Sequence, residues 1–193
     1  MKKKFALMAT SLVLVAALAV GGTLAYLTSQ DTVTNTFTVG NVTITLDEAD
    51  VNPDGTPIQN ATRVDANEYK LIPGHQYTKD PTIHVSQGSE PCYLFVKVEN
   101  GISDIEASES TIASQMSTNG WVALSDESNI YYYSGTVDAS ATAVDTPVFG
   151  EFTIKGDANV ANYNTATVEI TAYAVQADGF DTAAEAWAAA SFS

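Results

Sequence analysis

The feature that most constrains the fold of this chain is an alternation of apolar and polar residues with a period of two. In residues 41–47, Val42, Ile44 and Leu46 point to one side of an extended chain, and the threonines between them point to the other. Such alternation is typical of β-strands that bury one face. The same pattern, or a short β-branched and aromatic run, predicts further strands at residues 82–85, 92–99, 121–124, 130–133, 148–154 and 165–176.

Turn-forming residues separate these predicted strands. Combinations of Pro, Gly, Asn, Asp and Ser occur at residues 52–55, 73–74, 88–91, 156–157 and 178–179. Gly permits positive φ and Pro fixes φ, so such clusters are typical of tight turns. Short strands joined by turns indicate packed antiparallel sheets and argue against alternating strands and helices. We therefore predict an all-β fold, an antiparallel β-sandwich formed by residues 41–193 as a single domain.

A first short helix is predicted between two of the strands. Ser103 and Glu106 have the spacing of a capping box, in which each side chain bonds to the other residue's backbone. From there on, Ile105, Ile112 and Met116 can share one helical face.

A second short helix is predicted near the end of the sequence. Thr182 and Glu185 have capping-box spacing at the start of an alanine-rich segment that runs to Ala190. A helix of this length is not stable alone. We therefore expect it to pack Trp187 against the sandwich.

The first 25 residues have the three parts of a secretion signal. Three lysines precede an apolar stretch, residues 5–20, and the small residues Thr23 and Ala25 have the spacing that a signal peptidase reads. We predict a signal peptide of residues 1–25, cleaved between Ala25 and Tyr26, and a secreted protein of the extracellular matrix or cell surface. The alternative is an uncleaved anchor, because residues 5–27 are long enough to cross a hydrocarbon core of about 30 Å.

The charge balance excludes one class of partner. Cleavage would remove three of the eight basic residues and none of the 23 acidic ones, leaving a formal charge of about −18. Such a surface repels nucleic acid, so we expect no nucleic-acid partner.

A single cysteine, Cys92, forms no internal disulfide, and its place in an apolar run favours a small buried residue over a reactive thiol.

Common catalytic motifs are absent from the sequence. There is no Gly-x-Ser-x-Gly, no phosphate-binding Gly-x4-Gly-Lys and no Cys-x-x-Cys. A conventional zinc protease has two histidines four residues apart on a helix, whereas His75 and His84 are separated by a predicted turn and strand. We interpret His84 as the outward-facing residue of an alternating strand, and we expect no catalytic residues.

Calcium is the one cofactor for which the sequence offers a candidate site. Asp50, Asn52 and Asp54 are spaced like the first ligands of a calcium loop, with Gly55 at the bend. The second half of the pattern fails, because Ala61 stands where a bidentate glutamate belongs. The alternative is a polar turn without an ion.

The tyrosines 131–133 could stack on a sugar, but alternation favours packing. In a strand, Tyr131 and Tyr133 face one way and Tyr132 the other, so the three cannot form one exposed surface.

Several segments resemble the TasA and camelysin family of Gram-positive bacteria. They are Gly-Gly-Thr-Leu-Ala-Tyr-Leu-Thr at 21–28, Phe-Thr-Val-Gly-Asn-Val at 37–42, Leu-Ile-Pro-Gly-His-Gln-Tyr-Thr-Lys-Asp-Pro-Thr-Ile at 71–83, Glu-Pro-Cys-Tyr-Leu-Phe-Val-Lys-Val at 90–98, and Ala-Tyr-Ala-Val-Gln-Ala at 172–177. The resemblance covers essentially the whole chain.

The resemblance implies a jelly-roll β-sandwich, processed by a SipW-type signal peptidase and deposited in a biofilm matrix as fibres. The fibre would be a head-to-tail homopolymer, with other matrix proteins as further candidate partners. In it, an N-terminal donor strand of residues 26–40 enters the sheet of the next subunit.

The composition of this donor segment independently suits strand donation. It is polar and threonine-rich, and from Tyr26 onward it carries four apolar residues that can fill pockets: Leu27, Val33, Phe37 and Val39. It is too weakly apolar to fold alone, and it would gain backbone hydrogen bonds by covering an open sheet edge. The alternative is that it pairs within its own sandwich.

The same resemblance implies a competing function, because camelysin-like members are classed as metallo-endopeptidases. A third hypothesis is a calcium- or carbohydrate-binding surface module. We favour a non-enzymatic structural matrix protein.

Overall fold

A computed structural model describes residues 41–190 and Phe192. The predicted signal peptide, its cleavage site at Ala25 and Tyr26, and the donor segment with Leu27, Val33, Phe37 and Val39 lie outside the described residues. These predictions remain predictions.

The described residues form nine β-strands and two α-helices. The strands are β1 (Ile44–Asp47), β2 (Gln76–Thr78), β3 (Thr82–Val85), β4 (Cys92–Asn100), β5 (Trp121–Ala123), β6 (Ile130–Tyr133), β7 (Val144–Pro147), β8 (Glu151–Thr153) and β9 (Val168–Gln176). The helices are α1 (Ile112–Thr118) and α2 (Ala183–Ala189), and short 3₁₀ turns occur at Ser103–Ile105 and Val160–Tyr163.

All strand pairings are antiparallel, which confirms the predicted all-β sandwich with short helices. One sheet has the order β1-β3-β7, a second has the order β5-β6-β4-β9, and β2 pairs with β8. The longest ladder joins β4 to β9 over nine residues, from Cys92 opposite Gln176 to Asn100 opposite Val168.

The apolar core lies against both faces of β4. Cys92, Leu94 and Val96 are fully buried in the main core cluster between the sheets. Tyr93 and Phe95 point to the other face, where they form a smaller cluster with residues of α2. The apolar run of β4 is therefore explained by burial on two sides, which removes the polar alternation seen in β1.

The second predicted helix is confirmed, including its cap. The Thr182 side chain accepts a hydrogen bond from the Glu185 backbone, and the Glu185 carboxylate accepts one from the Thr182 backbone. The Trp187 ring lies 5.1 Å from the ring of Phe95 and 5.5 Å from that of Tyr173. As expected, α2 covers the outer face of the four-stranded sheet.

The capping box predicted at Ser103 is wrong. Residues Ser103–Ile105 form a single 3₁₀ turn without a side-chain cap, and α1 begins later, after Thr111. Glu106 is buried instead, and its carboxylate accepts hydrogen bonds from the Asn100 side chain and the Ile112 backbone N–H, both at 3.1 Å. Burial of this carboxylate under the start of α1 is a tertiary effect that the local spacing does not show.

Two strands were not predicted, and each has a local reason. In β2 only three residues are extended and Tyr77 alone is fully buried, so no period can be seen. In β7, Pro147 argues against a strand, but β7 pairs with β3 on one side, so a missing N–H is tolerated at its other edge. The strand predicted at 148–154 shortens to Glu151–Thr153, and the fully buried Val148 and Phe149 lie outside it.

Replacing Glu106 with alanine should lower the free energy of unfolding by about 2 kcal/mol, because two donors lose their acceptor in a buried place. Urea denaturation would measure the change. Glu109→Ala is the matched control, since Glu109 is exposed and its loss should change stability by less than about 0.5 kcal/mol. Equal effects of the two substitutions would contradict this role of Glu106.

Candidate functional site

Two strand edges lie next to each other on one side of the sandwich. In residues 41–190, β9 pairs with β4 alone and β1 pairs with β3 alone, so each presents an outer edge to which no described strand is bonded. Cα atoms of β1 and β9 come within 8 Å of one another. We call these two outer edges the open side.

The apolar residues along the open side are incompletely buried. From β1 these are Val42, just before the strand, with Ile44 and Leu46, and from β9 they include Val168, Ile170 and Ala172. All of them pack on the core, yet none is fully buried, in contrast to Leu94 and Val96 at the centre of the sheet. The open side therefore combines unused backbone hydrogen-bonding positions with partly exposed apolar surface.

A groove of about 890 Å³ adjoins the beginning of β9. One wall is the segment 66–71 and the other is the segment 160–169. Its apolar surface comes from Tyr69, Leu71, Ile102, Phe152, Val160, Tyr163 and Val168. This volume accommodates several apolar side chains of an extended peptide.

The groove is electrostatically balanced although the chain as a whole has a net charge of −15. Its charged lining residues are two acids, Glu68 and Glu169, and two cations, Lys70 and Lys79. A segment with little charge therefore enters without a large Coulomb penalty. Residues 26–40 are such a segment, because Asp31 is their only charged side chain.

On the outer face of the three-stranded sheet, His84 joins two aspartates. Its Nε2 lies 2.8 Å from Asp47 Oδ1, and its Nδ1 lies 2.7 Å from Asp145 Oδ1. Both ring nitrogens can donate only when the imidazole is protonated, so this geometry selects the cation. Arg63 extends the row, because it bonds to Asp47 and, at 3.0 Å, to Asp80.

The surroundings shift the pKa values of His84 and Asp47 in opposite directions, and each shift favours the charged form of the group. Partial burial lowers the pKa of His84, but hydrogen bonds and charge from Asp145 and Asp47 outweigh it, so the pKa is raised. Burial likewise opposes the shift of Asp47, yet bonds from Arg63 and His84 lower its pKa. A histidine held as a cation between carboxylates links strands, whereas a metal ligand must be neutral.

The two histidines have no partner in common. The Nε2 of His75 lies 2.7 Å from the backbone oxygen of Asp54, and its ring meets that of Tyr77 edge-on at 4.7 Å. His84 lies on β3 between the buried Ile83 and Val85, as the alternation predicts. Across the described part of the chain, no group of three or more His, Cys, Asp or Glu side chains is arranged to hold a metal.

The candidate calcium loop is closed by its own side chains. Asp54 Oδ1 accepts hydrogen bonds from the backbone and hydroxyl of Thr56, at 3.0 and 2.7 Å, and the Asn52 amide donates to the same hydroxyl at 2.9 Å. Gly55 has a φ of +78°, and a Cβ there would lie 2.7 Å from Tyr77. The loop has the bonds of a polar turn, and calcium at Asp50, Asn52 and Asp54 stays a prediction.

The tyrosine run divides between the two faces of β6. Tyr131 and Tyr133 pack on the main core, and Tyr132 packs on the cluster under α2. The three rings therefore do not form a common platform.

Cys92 is fully buried, and burial raises the pKa of its thiol to about 11. A buried thiol in this state is unreactive.

Neither helix among the described residues has the length and hydropathy needed to cross a bilayer. The predicted signal or anchor segment lies outside the described residues.

Comparison with known proteins gives one match. The model of a family described as camelysin metallo-endopeptidase matches residues 1–71. It confirms, for this part of the chain, the resemblance to the TasA and camelysin family. The matched region includes β1 and the segment 66–71, which are one edge of the open side and one wall of the groove. No curated protein and no solved structure matches the chain.

Sequence reasoning expected an open sheet edge but did not locate it, and it missed the row through His84. Asp47 and Asp145 are 37 and 61 positions from His84, and only the register of β1, β3 and β7 brings them together. Alternation places His84 outward, but it does not reveal which residues lie opposite.

The raised pKa of His84 predicts that the protein loses stability as pH rises. The folded state holds this proton more tightly than the unfolded state, so the contribution is complete below the unfolded pKa of about 6.5 and is lost as pH passes the raised folded pKa. Because the ring is partly exposed, we expect an effect of at most about 1 kcal/mol.

The measurement is the free energy of unfolding of the wild type and of His84→Gln between about pH 5 and about pH 9. The difference between them should be largest at the acidic end and shrink towards the basic end. His75→Gln is the control, because His75 contacts a backbone carbonyl and no carboxylate. A difference that does not change with pH would contradict the assignment.

Proposed function

We propose that the mature chain, residues 26–193, is a structural protein of an extracellular biofilm matrix that polymerises head to tail. In this proposal residues 26–40 of one subunit add as a strand to the open side of the next. The observation that carries the proposal is the open side itself, where two sheet edges and partly exposed apolar residues occur together.

Strand addition would pair the unused backbone groups of the open side and would cover its partly exposed apolar residues. The outer edge of β9 is nine residues long, and each backbone hydrogen bond made there contributes about 0.5–1.5 kcal/mol. Alternate apolar side chains of the donor, among them Val33, Phe37 and Val39, would cover the partly exposed residues of β1 and β9. The groove beside β9 would receive a further side chain such as Leu27.

The position of the donor in the sequence favours a filament. Residues 26–40 end three residues before β1, whose outer edge belongs to the acceptor, so each subunit would carry both a donor and an acceptor. A head-to-tail contact of this kind is not self-complementary and does not close on itself, which produces fibres. Pairing of the segment within its own sandwich would instead give a monomer.

Processing would control assembly in this proposal. A SipW-type signal peptidase would cut between Ala25 and Tyr26 during secretion, as the family resemblance implies. Before cleavage the start of the donor segment is joined to the apolar residues 5–20, and after cleavage it is free to enter a neighbour. The proposed location is the extracellular matrix or cell surface, where other matrix proteins are further candidate partners.

Deletion of the donor segment should abolish filaments. Purified residues 26–193 should form filaments visible by electron microscopy, whereas residues 38–193 should remain monomeric, because the strand that bridges subunits is absent. Adding a peptide of residues 26–40 to the shortened chain should produce a stable one-to-one complex. Filaments that persist unchanged after the deletion would exclude strand donation.

A substitution on the open side tests its role as the acceptor edge, because it leaves the donor segment of the same subunit unchanged. Ile170→Lys puts a charge among the apolar residues of the open side, so this subunit should cap filaments and shorten them when added in small amounts. Thr171→Lys is the matched control, because the neighbouring side chain is exposed on the other face of β9. Circular dichroism would verify that both variants are folded.

The alternative proposal is a metallo-endopeptidase, and the match to the camelysin metallo-endopeptidase family favours it. We expect no cleavage of casein by the purified chain, because His84 is held between two carboxylates. Cleavage that disappears both with a chelator and with His84→Ala would support the peptidase. Activity that neither treatment changes would indicate a contaminating protease.

A further inference from the structure

Three polar side chains meet at the end of β1, where Glu48 and Lys79 are buried and Asn67 is partly buried. Lys79 Nζ lies 2.5 Å from Glu48 Oε2, and Asn67 Nδ2 lies 2.9 Å from Glu48 Oε1. Glu48 is 3% exposed and Lys79 is 8% exposed. One carboxylate thus binds an amine with one oxygen and a carboxamide with the other.

The carboxamide of Asn67 is held in one orientation. Its Oδ1 accepts a hydrogen bond from the Val51 backbone N–H at 3.0 Å, and its Nδ2 also donates to the Ala49 backbone oxygen at 2.8 Å. A backbone N–H aimed at a carbonyl oxygen stabilises the negative charge that develops there when a nucleophile attacks the carbon. The Tyr69 ring, whose centroid lies 5.9 Å from Lys79 Nζ, covers the amine.

We propose that Lys79 and Asn67 join in an intramolecular isopeptide bond, with Glu48 as the acid–base residue. Lys79 Nζ forms a bond to Asn67 Cγ, and the bond from Cγ to Nδ2 breaks. The products are a secondary amide and one molecule of ammonia. No oxidant, metal or cofactor takes part, because the oxidation states of all atoms are unchanged.

The proton transfers follow from the contacts of Glu48. Glu48 takes a proton from the Lys79 ammonium, which leaves a neutral amine with a lone pair for attack. The Val51 N–H stabilises the oxygen of the tetrahedral intermediate, and Glu48 delivers its proton to the departing Nδ2, to which it is already bonded. The Glu48 carboxylate then takes the second proton that the Lys79 nitrogen must lose, so that ammonia leaves and Glu48 ends protonated. The attack requires Lys79 Nζ to move from the carboxylate to within about 3–3.5 Å of Asn67 Cγ.

Burial distinguishes this cluster from an ordinary ion pair on the same protein. Lys97 and Glu99 also form a pair at 2.8 Å, but both side chains are exposed. At Glu48 the carboxylate and the amine are both buried and in direct contact, so a proton passes between them without entering solvent. An exposed lysine remains solvated as a cation and does not attack an amide.

The bond would anchor a segment of the chain that lies outside the strands and helices. Residues 65–71 form neither strand nor helix, and they are one wall of the groove beside β9. A covalent link from Asn67 to Lys79 closes a short loop and joins this wall to the residue after β2. With one cysteine in the sequence, the chain has no intramolecular disulfide to serve that purpose.

Mass spectrometry of the purified protein tests the proposal directly. The intact mass should be lower than the sequence mass by one ammonia molecule. Trypsin should cut after Arg63 and Lys70 but not after the acylated Lys79, so that residues 64–70 are released covalently joined to residues 71–97. Full mass together with separate peptides 64–70, 71–79 and 80–97 would show a buried ion pair only and overturn the proposal.

Variants assign the roles of the three residues. Lys79→Arg should abolish the mass loss, whereas Lys97→Arg, the matched control, should retain it. Glu48→Gln keeps both reacting groups and should prevent the bond, and a bond formed unchanged in this variant would overturn the role of Glu48. Asn67→Asp is a control for misfolding in the other variants. Its carboxylic acid has the same size as the carboxamide and should still form the bond, with loss of water instead of ammonia.

Discussion

The burial of β4 on both faces is the constraint on which the rest of this structure depends. One face fills the main core between the sheets, and the other requires a cover, which α2 supplies through Ala183, Ala186 and Trp187. Because β4 is central, its full-length ladder with β9 places a nine-residue strand at the edge of the sheet. The same arrangement that makes the core stable thus produces an exposed backbone edge.

Natural sheets usually shield such an edge with charges, prolines or bulges. β9 has neither proline nor lysine, and its inward residues Val168, Ile170 and Ala172 are apolar. An edge with a single charged residue, Glu169, and no proline suits pairing with another strand. The strong negative charge of the chain acts in the opposite sense, because it separates subunits at long range until salt screens it. In the proposed assembly, recognition by a nearly neutral donor segment would allow association despite this repulsion.

The sequence predicted those parts of the fold that local pattern controls. The alternation at 41–47, the apolar run at 92–99 and the capping box at Thr182 all correspond to observed elements. The misses depend on partners distant in sequence. Glu106 looks like a cap residue but is buried beneath α1, and Pro147 looks like a strand breaker but stands at a sheet edge. His84, Glu48 and Asn67 acquire their chemistry from residues that only strand register and loop packing bring near, so no spacing in the sequence could show it.

The row from Asp145 through His84 and Asp47 to Arg63 has a mechanical consequence. Any tension applied to the chain ahead of residue 41 enters the domain through β1. That strand is antiparallel to β3, so a pull along it loads the four residue pairs of the ladder together in shear. Asp47, at the far end of β1, is bonded sideways to both His84 and Arg63. The load therefore spreads from one strand into β3 and into the loop that carries Arg63, and unfolding under force must break several bonds at once.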